Sequence, residues 1–218
     1  MSAPGSVCGS IKFEGSVWCC PGSEEKNMKN TLVKAVYAGF MIGVGGVVYL
    51  ALENKIVGAL LFSFGLLTIV NQGFFLYTGK IGFAKTKEDF ERIPVIIIGN
   101  LIGTGIVAVL CRLAGMNISS AAICEAKLAK APVPIFILSV FCGIMMYLAI
   151  DNFNKCKNHL FIIAPVMIFI LSGFEHSVAN MFYFSLAGMW NIRSIVYLIL
   201  MILGNGVGAK VFDICKQS

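Results

Sequence analysis

Gly99-Asn100-Leu101-Ile102-Gly103 and Gly204-Asn205-Gly206-Val207-Gly208 both read G-N-x-[IV]-G, and each falls in the third apolar run of its half of the chain. Six such runs can be drawn, at about 35–52, 56–77, 94–110, 132–150, 160–186 and 195–211. A bilayer core asks for about 20 predominantly apolar residues per helix, so each run is long enough to count as a crossing. The second and fifth runs correspond as well, since each carries a mid-span glycine, Gly73 or Gly173, followed by polar residues. Three crossings per half is an odd number, so the second half must enter the membrane upside down. The expected fold is therefore an all-α membrane protein of six transmembrane helices, an inverted repeat of two three-helix halves at about 31–113 and 130–213. Inverted repeats place a pathway at their interface, near the membrane midplane, with broken helices lining it. The fifth run exceeds what a bilayer needs, which predicts a tilt or a break.

Composition excludes the alternatives to a membrane protein. Of the 218 residues 58% are hydrophobic and 13% charged, about half the roughly 25% charge of a soluble domain. The net charge of +6 does not point to nucleic acid, because the basic residues sit singly in short loops between the runs. Counted on alternate sides, Lys and Arg number 12 on the side of both termini and 5 on the other. Positive residues stay inside, so both termini are expected in the cytoplasm, with residues 1–30 as a cytoplasmic tail and 31–218 as the six-helix transmembrane domain. None of the eight cysteines has C-x-x-C spacing, and no metal site is expected. Cys142 lies in an apolar run as a small buried hydrophobe. Cys19-Cys20 read as free thiols in a tail, with a redox, lipidation or disulfide role as the alternative. Residues 1–30 lack the apolar core and small-residue cleavage site of a signal peptide.

Within the runs, one ionisable pair stands out, Glu175-His176 in the fifth. A charge at the bilayer centre costs at least about 2.5–3.5 kcal/mol, so such residues normally face a pore or a partner. The plainer reading is a buried histidine satisfied by a backbone carbonyl, with Glu175 pinning a helix. Phe169, Gly173, His176 and Asn180 are spaced to share one helical face. Phe62, Leu66, Ile69 and Gly73 form a comparable stripe on the second run, before a polar break at Leu76-Tyr77-Thr78-Gly79-Lys80. Enzyme motifs are missing: His176 is followed at i+4 by Asn180 rather than a second histidine, which rules out the H-E-x-x-H pattern. Neither a P-loop nor a dinucleotide fingerprint occurs, and no catalytic residue or cofactor is expected.

The stretch Ser172-Gly173-Phe174-Glu175-His176-Ser177-Val178-Ala179-Asn180-Met181-Phe182 closely resembles the fifth-helix signature of the formate/nitrite transporter family. Leu76-Tyr77-Thr78, Asn100, Asn205 and six spans across 31–213 support the likeness. The resemblance implies an aquaporin-like fold with broken second and fifth helices, a homopentamer in the cell (inner) membrane, and passage of formate, nitrite, hydrosulfide, lactate or acetate through a pore in each protomer. It implies His176 as the central pore histidine, Asn180 as its companion, Thr78 facing it and Lys127 in the outer vestibule, with Lys130 close enough to compete for that assignment. Phe62, Leu66, Leu76, Tyr77 and Phe169 resemble the apolar constrictions. Glu175 is expected to pair with a basic neighbour such as Lys127. Two features depart from the family pattern: Tyr77 stands where Phe is usual, and the connection between the fourth and fifth runs is short. The expected function is a channel for a small monovalent anion or its conjugate acid. A proton-coupled alternating-access carrier of a small monocarboxylate and a membrane-embedded enzyme using Glu175-His176 are the alternatives. A water or glycerol facilitator would need paired N-P-A motifs, which the chain lacks.

Overall fold

A computed structural model describes residues 27–217. Most of the tail, including Cys8 and the Cys19-Cys20 pair, lies outside the described residues. Helix α1 (Met28–Ala51) starts where the Asn27 side chain accepts the Lys29 N–H. Helix α2 (Lys55–Gln72) is capped by Asn54, which accepts from Ile56 and Val57, and stops at Gly73 in the left-handed region. The chain then turns back through residues 74–76 into the short α3 (Tyr77–Lys80) and a 3-10 turn, Ile81–Phe83. Next comes α4 (Lys87–Leu113), then α5 (Ala121–Ala129), α6 (Pro132–Cys156), α7 (Leu160–Leu171), α8 (Ser177–Ala187) and α9 (Ile192–Gln217).

Among the described residues five helices, α1, α2, α4, α6 and α9, are long and apolar enough to cross a bilayer. The 12 residues of α7 span only about 18 Å at 1.5 Å per residue, so the sixth crossing is shared by α7 and α8. The excess length of the run at 160–186 is thereby accounted for: it contains a break at residues 172–176, not one tilted helix. Phe169 and Gly173 consequently do not share a helical face with His176 and Asn180, because the expected stripe is divided between two helices. Helix boundaries also correct the sequence reading. The helix expected to open at residue 94 starts at Lys87, where Thr86 and Asp89 form a capping box outside the apolar run. No helix was expected between the third and fourth apolar runs; α5 fills that place.

The inverted repeat is written in matched hydrogen bonds. Asn100 Oδ1 accepts from the Tyr77 N–H at 2.9 Å, while its amide donates to Ala35 O and Phe75 O. Asn205 does the same in the other half: Oδ1 accepts from Ser177 N–H at 2.9 Å, and Nδ2 donates to Ser139 O and Glu175 O. Both side chains are completely buried, and buried amides persist where their bonding capacity is met. The turns themselves agree: Phe74 N–H donates to Ile69 O, Phe174 N–H to Phe169 O, Phe75 N–H to Lys34 O and Glu175 N–H to Leu138 O. The glycines of the repeated motif let α4 close on α1 and α9 close on α6. A Cβ on Gly103 would run into the Val36 carbonyl, and one on Gly208 into the Val140 carbonyl. Close backbone approach through small residues is how membrane helices pack without a hydrophobic driving force. The outward faces remain apolar, with Phe64, Ile98, Val109 and Leu203 each more than half exposed, as a lipid-facing surface requires.

Candidate functional site

The two turns bring the N-termini of α3 and α8 together. His176 is the N-cap of α8, its Nδ1 accepting the Ala179 N–H at 3.1 Å. A backbone N–H can only donate, so Nδ1 carries the lone pair and the ring proton of the neutral imidazole sits on Nε2. That nitrogen lies 2.9 Å from Thr78 Oγ1, so Nε2–H donates and the threonine hydroxyl keeps its own hydrogen for another acceptor. The ring is also stacked on Phe169, centroids 5.3 Å apart and planes within 23°, and Phe169 meets Phe62 edge-on. His176 and Thr78 are each 1% exposed. A local cap, a cross-chain hydroxyl and an aromatic face therefore fix the imidazole on three sides.

On one side of the ring lies a cavity of about 160 Å³, lined in part by His176, Asn180, Lys127, Phe62, Phe169 and Gly173. Lys127 comes from α5, which is fastened at both ends. Ser120 Oγ donates to Tyr183 O at 2.7 Å, and the Tyr197 hydroxyl donates to Lys130 O at 2.6 Å. The Lys127 ammonium binds Glu175 Oε2, an oxygen that also accepts from Asn180 Nδ2 at 3.0 Å. Asn180 Nδ2 also donates to His176 O, while its Oδ1 is buried with no hydrogen-bond partner. Lys130 Nζ stands 3.9 Å from the second carboxylate oxygen of Glu175. The cavity thus joins a cation, an amide oxygen without a partner and an imidazole within apolar walls.

The sequence-predicted residues do not all meet there. Leu66, Leu76, Tyr77, Thr78 and Glu175 are buried but are not among the residues lining this cavity. The Tyr77 hydroxyl, expected near a narrow point, donates to Ile202 O of α9 at 2.7 Å. Tyr49 and Tyr183, which the sequence reading passed over, do line the cavity. Tyr183 follows His176 by seven positions, so helical spacing along α8 alone could have found it. Tyr49, near the end of α1, carries no such signal.

A membrane protein with two broken helices whose tips meet at an imidazole–hydroxyl contact, beside a cavity guarded by a lysine, has the design of a small-solute channel. The chain belongs to the formate/nitrite transporter family, whose model matches residues 22–215. It is 27% identical over 213 residues to the nitrite transporter NirC of Escherichia coli (strain K12), covering 83% of this chain and 79% of that one. To the formate channel FocA of Haemophilus influenzae it is 27% identical over 149 residues, 59% of this chain and 52% of the channel. The chain therefore aligns with about half the length of that relative. Among solved structures it resembles a pentameric formate channel with formate bound, with a TM-score of 0.77 and 24% identity over 87% of this chain and 96% of the other. An FNT family ion channel gives a TM-score of 0.73 at 23% identity, covering 85% and 86%. At these identities the two structures speak for the fold. The relatives are channels and transporters, and this chain is an integral membrane protein of their family, not an enzyme.

Proposed function

We propose that each protomer passes a small monovalent anion of the formate or nitrite class, crossing the apolar neck as its conjugate acid. The observation that carries this reading is that Lys127 and His176 line one cavity, a cation at the anion's approach and a neutral imidazole beside the apolar ring pair Phe62–Phe169. An ion entering an apolar constriction without compensation loses many kcal/mol of hydration, and the neutral acid loses far less. The anion is gathered by Lys127 and is protonated there by a hydronium ion from the bulk, relayed through water in the vestibule and leaving water behind. Thr78 and Asn180 supply hydrogen bonds to its polar end. His176 holds Thr78 in place through its single N–H rather than acting as the acid, because that proton sits on Nε2 and giving it up would leave an imidazolate. Glu175 orients Lys127 and stays out of the path. Both termini lie in the cytoplasm of a cell with this protein in its inner membrane, and five copies assemble through their apolar outer faces, as in the similarly folded pentameric channel.

The test is uptake by proteoliposomes offered formate, nitrite, hydrosulfide, acetate and lactate in turn. Formate and nitrite should enter fastest, and uptake should rise as pH falls, since the neutral fraction grows roughly tenfold per unit above the acid's own pKa. His176→Asn, which keeps an N–H donor, should retain that pH slope, whereas His176→Phe should lose most of the flux. A slope abolished in the asparagine variant would make the histidine the proton source. Uptake that is flat across pH would overturn the neutral-acid route.

A further inference from the structure

Taking the vestibule to carry an anion, as proposed above, we infer that Lys130 is a positioning residue, the reserve counterion of Glu175 that closes on the carboxylate when substrate draws Lys127 away. The two oxygens of Glu175 are unequal. Oε2 holds Lys127 and Asn180, whereas Oε1 is buried without a hydrogen bond and has Lys130 Nζ 3.9 Å away. The carboxylate as a whole is 1% exposed.

Lys127 faces a choice. While it stays on Glu175, much of its charge is answered and little is left for an anion in the cavity. If it turns to the anion, a buried carboxylate is left with one neutral amide, and stripping the partner from a buried charge is strongly unfavourable. An anion could then be held only weakly. Lys130 removes the conflict. It follows Lys127 by one helical turn, its N–H donates to Lys127 O, and the Tyr197 hydroxyl fixes its carbonyl, so its backbone is already in place. Its side chain is 42% exposed against 14% for Lys127, which leaves the outer lysine free to move. Bringing Nζ from 3.9 Å to a charge-assisted bond of about 2.8 Å takes a rotamer adjustment, not a backbone shift. The ordinary alternative is a surface lysine of no energetic weight. Against that stands the unsatisfied Oε1, a buried acceptor with a cation just beyond bonding distance.

The experiment compares initial formate uptake across a concentration series for wild type, Lys130→Met, Lys130→Arg, Glu175→Gln and the double variant. Lys130→Met should raise the half-saturating formate concentration about five- to tenfold, with Lys130→Arg within about twofold of wild type. In the Glu175→Gln background Lys130→Met should have no further effect, because a neutral amide needs no counterion. A Lys130→Met variant that matches wild type would overturn the inference, and so would a loss of equal size in both backgrounds. Should Glu175→Gln fail to assemble, the rise in unfolding temperature produced by excess formate replaces it. That rise should appear in wild type and Lys130→Arg and vanish in Lys130→Met, and equal rises in all three would refute the exchange. A wild type that takes up no formate overturns the transport reading itself; normal wild-type uptake with an indifferent Lys130 overturns this one alone.

Discussion

At the scale of single residues, the contact between Thr78 and His176 is the most exposed to test. Thr78→Val keeps the shape and removes the acceptor of the imidazole N–H, a neutral hydrogen bond of about 0.5–1.5 kcal/mol. Formate uptake should fall by roughly three- to tenfold on that figure, and circular dichroism should be unchanged. Lys127→Ala should lower anion uptake more than Lys130→Ala does, since only Lys127 lines the cavity; the reverse order would exchange their roles. Asn100→Ala and Asn205→Ala belong together. Each removes the side-chain partner of three equivalent backbone groups, at about 1–3 kcal/mol for each group left unsatisfied, so the two variants should lower the unfolding temperature in detergent by similar amounts. His176, Glu175 and Asn180 were legible because polar residues are costly at membrane depth and therefore stand out against apolar neighbours. The Tyr77 hydroxyl was not legible. Its partner is a backbone carbonyl 125 positions away, and no periodicity announces such a bond.

Among elements, legibility followed the apolar pattern and failed where capping chemistry or amphipathicity decided the outcome. The break between α7 and α8 could be suspected from a run too long for the bilayer, but its position depends on Gly173 adopting φ of 69°. Helix α5 was missed because its nine residues mix Glu125 and Lys127 with small apolar side chains, a pattern that reads as loop. The early start of α4 was missed because Thr86 and Asp89 lie outside the apolar run. Packing between elements gives its own prediction. Gly103→Val should force α4 from α1, and Gly208→Val should force α9 from α6, because each new side chain meets a backbone carbonyl that cannot swing aside. Overpacking of this kind costs about 1–3 kcal/mol or more, and both variants should give low yields of folded protein on size-exclusion chromatography. Gly105→Ala, where a Cβ meets open space, should behave as wild type.

For the whole molecule, the ends of α6 and α9 are drawn together. Lys216 pairs with Asp151, and the Tyr147 hydroxyl donates to Asp213 at 2.7 Å. Cys156 and Cys215 are free and exposed at these ends. With the other six cysteines replaced by Ser, both should react with a membrane-impermeant maleimide in inside-out vesicles and neither in intact cells. Labelling on opposite sides would contradict the six-crossing topology. The two buried asparagines have a further consequence for how such a protein can work. Each clamps a turn to the helices behind it, so the middle of the molecule is braced like an arch with two keystones. Any shape change that parted either turn from the helices behind it would first have to unpick that asparagine's three hydrogen bonds. On the transport reading proposed above, a conduit braced in this way needs no such stroke, and a solute's passage is not tied to a cycle of the protein.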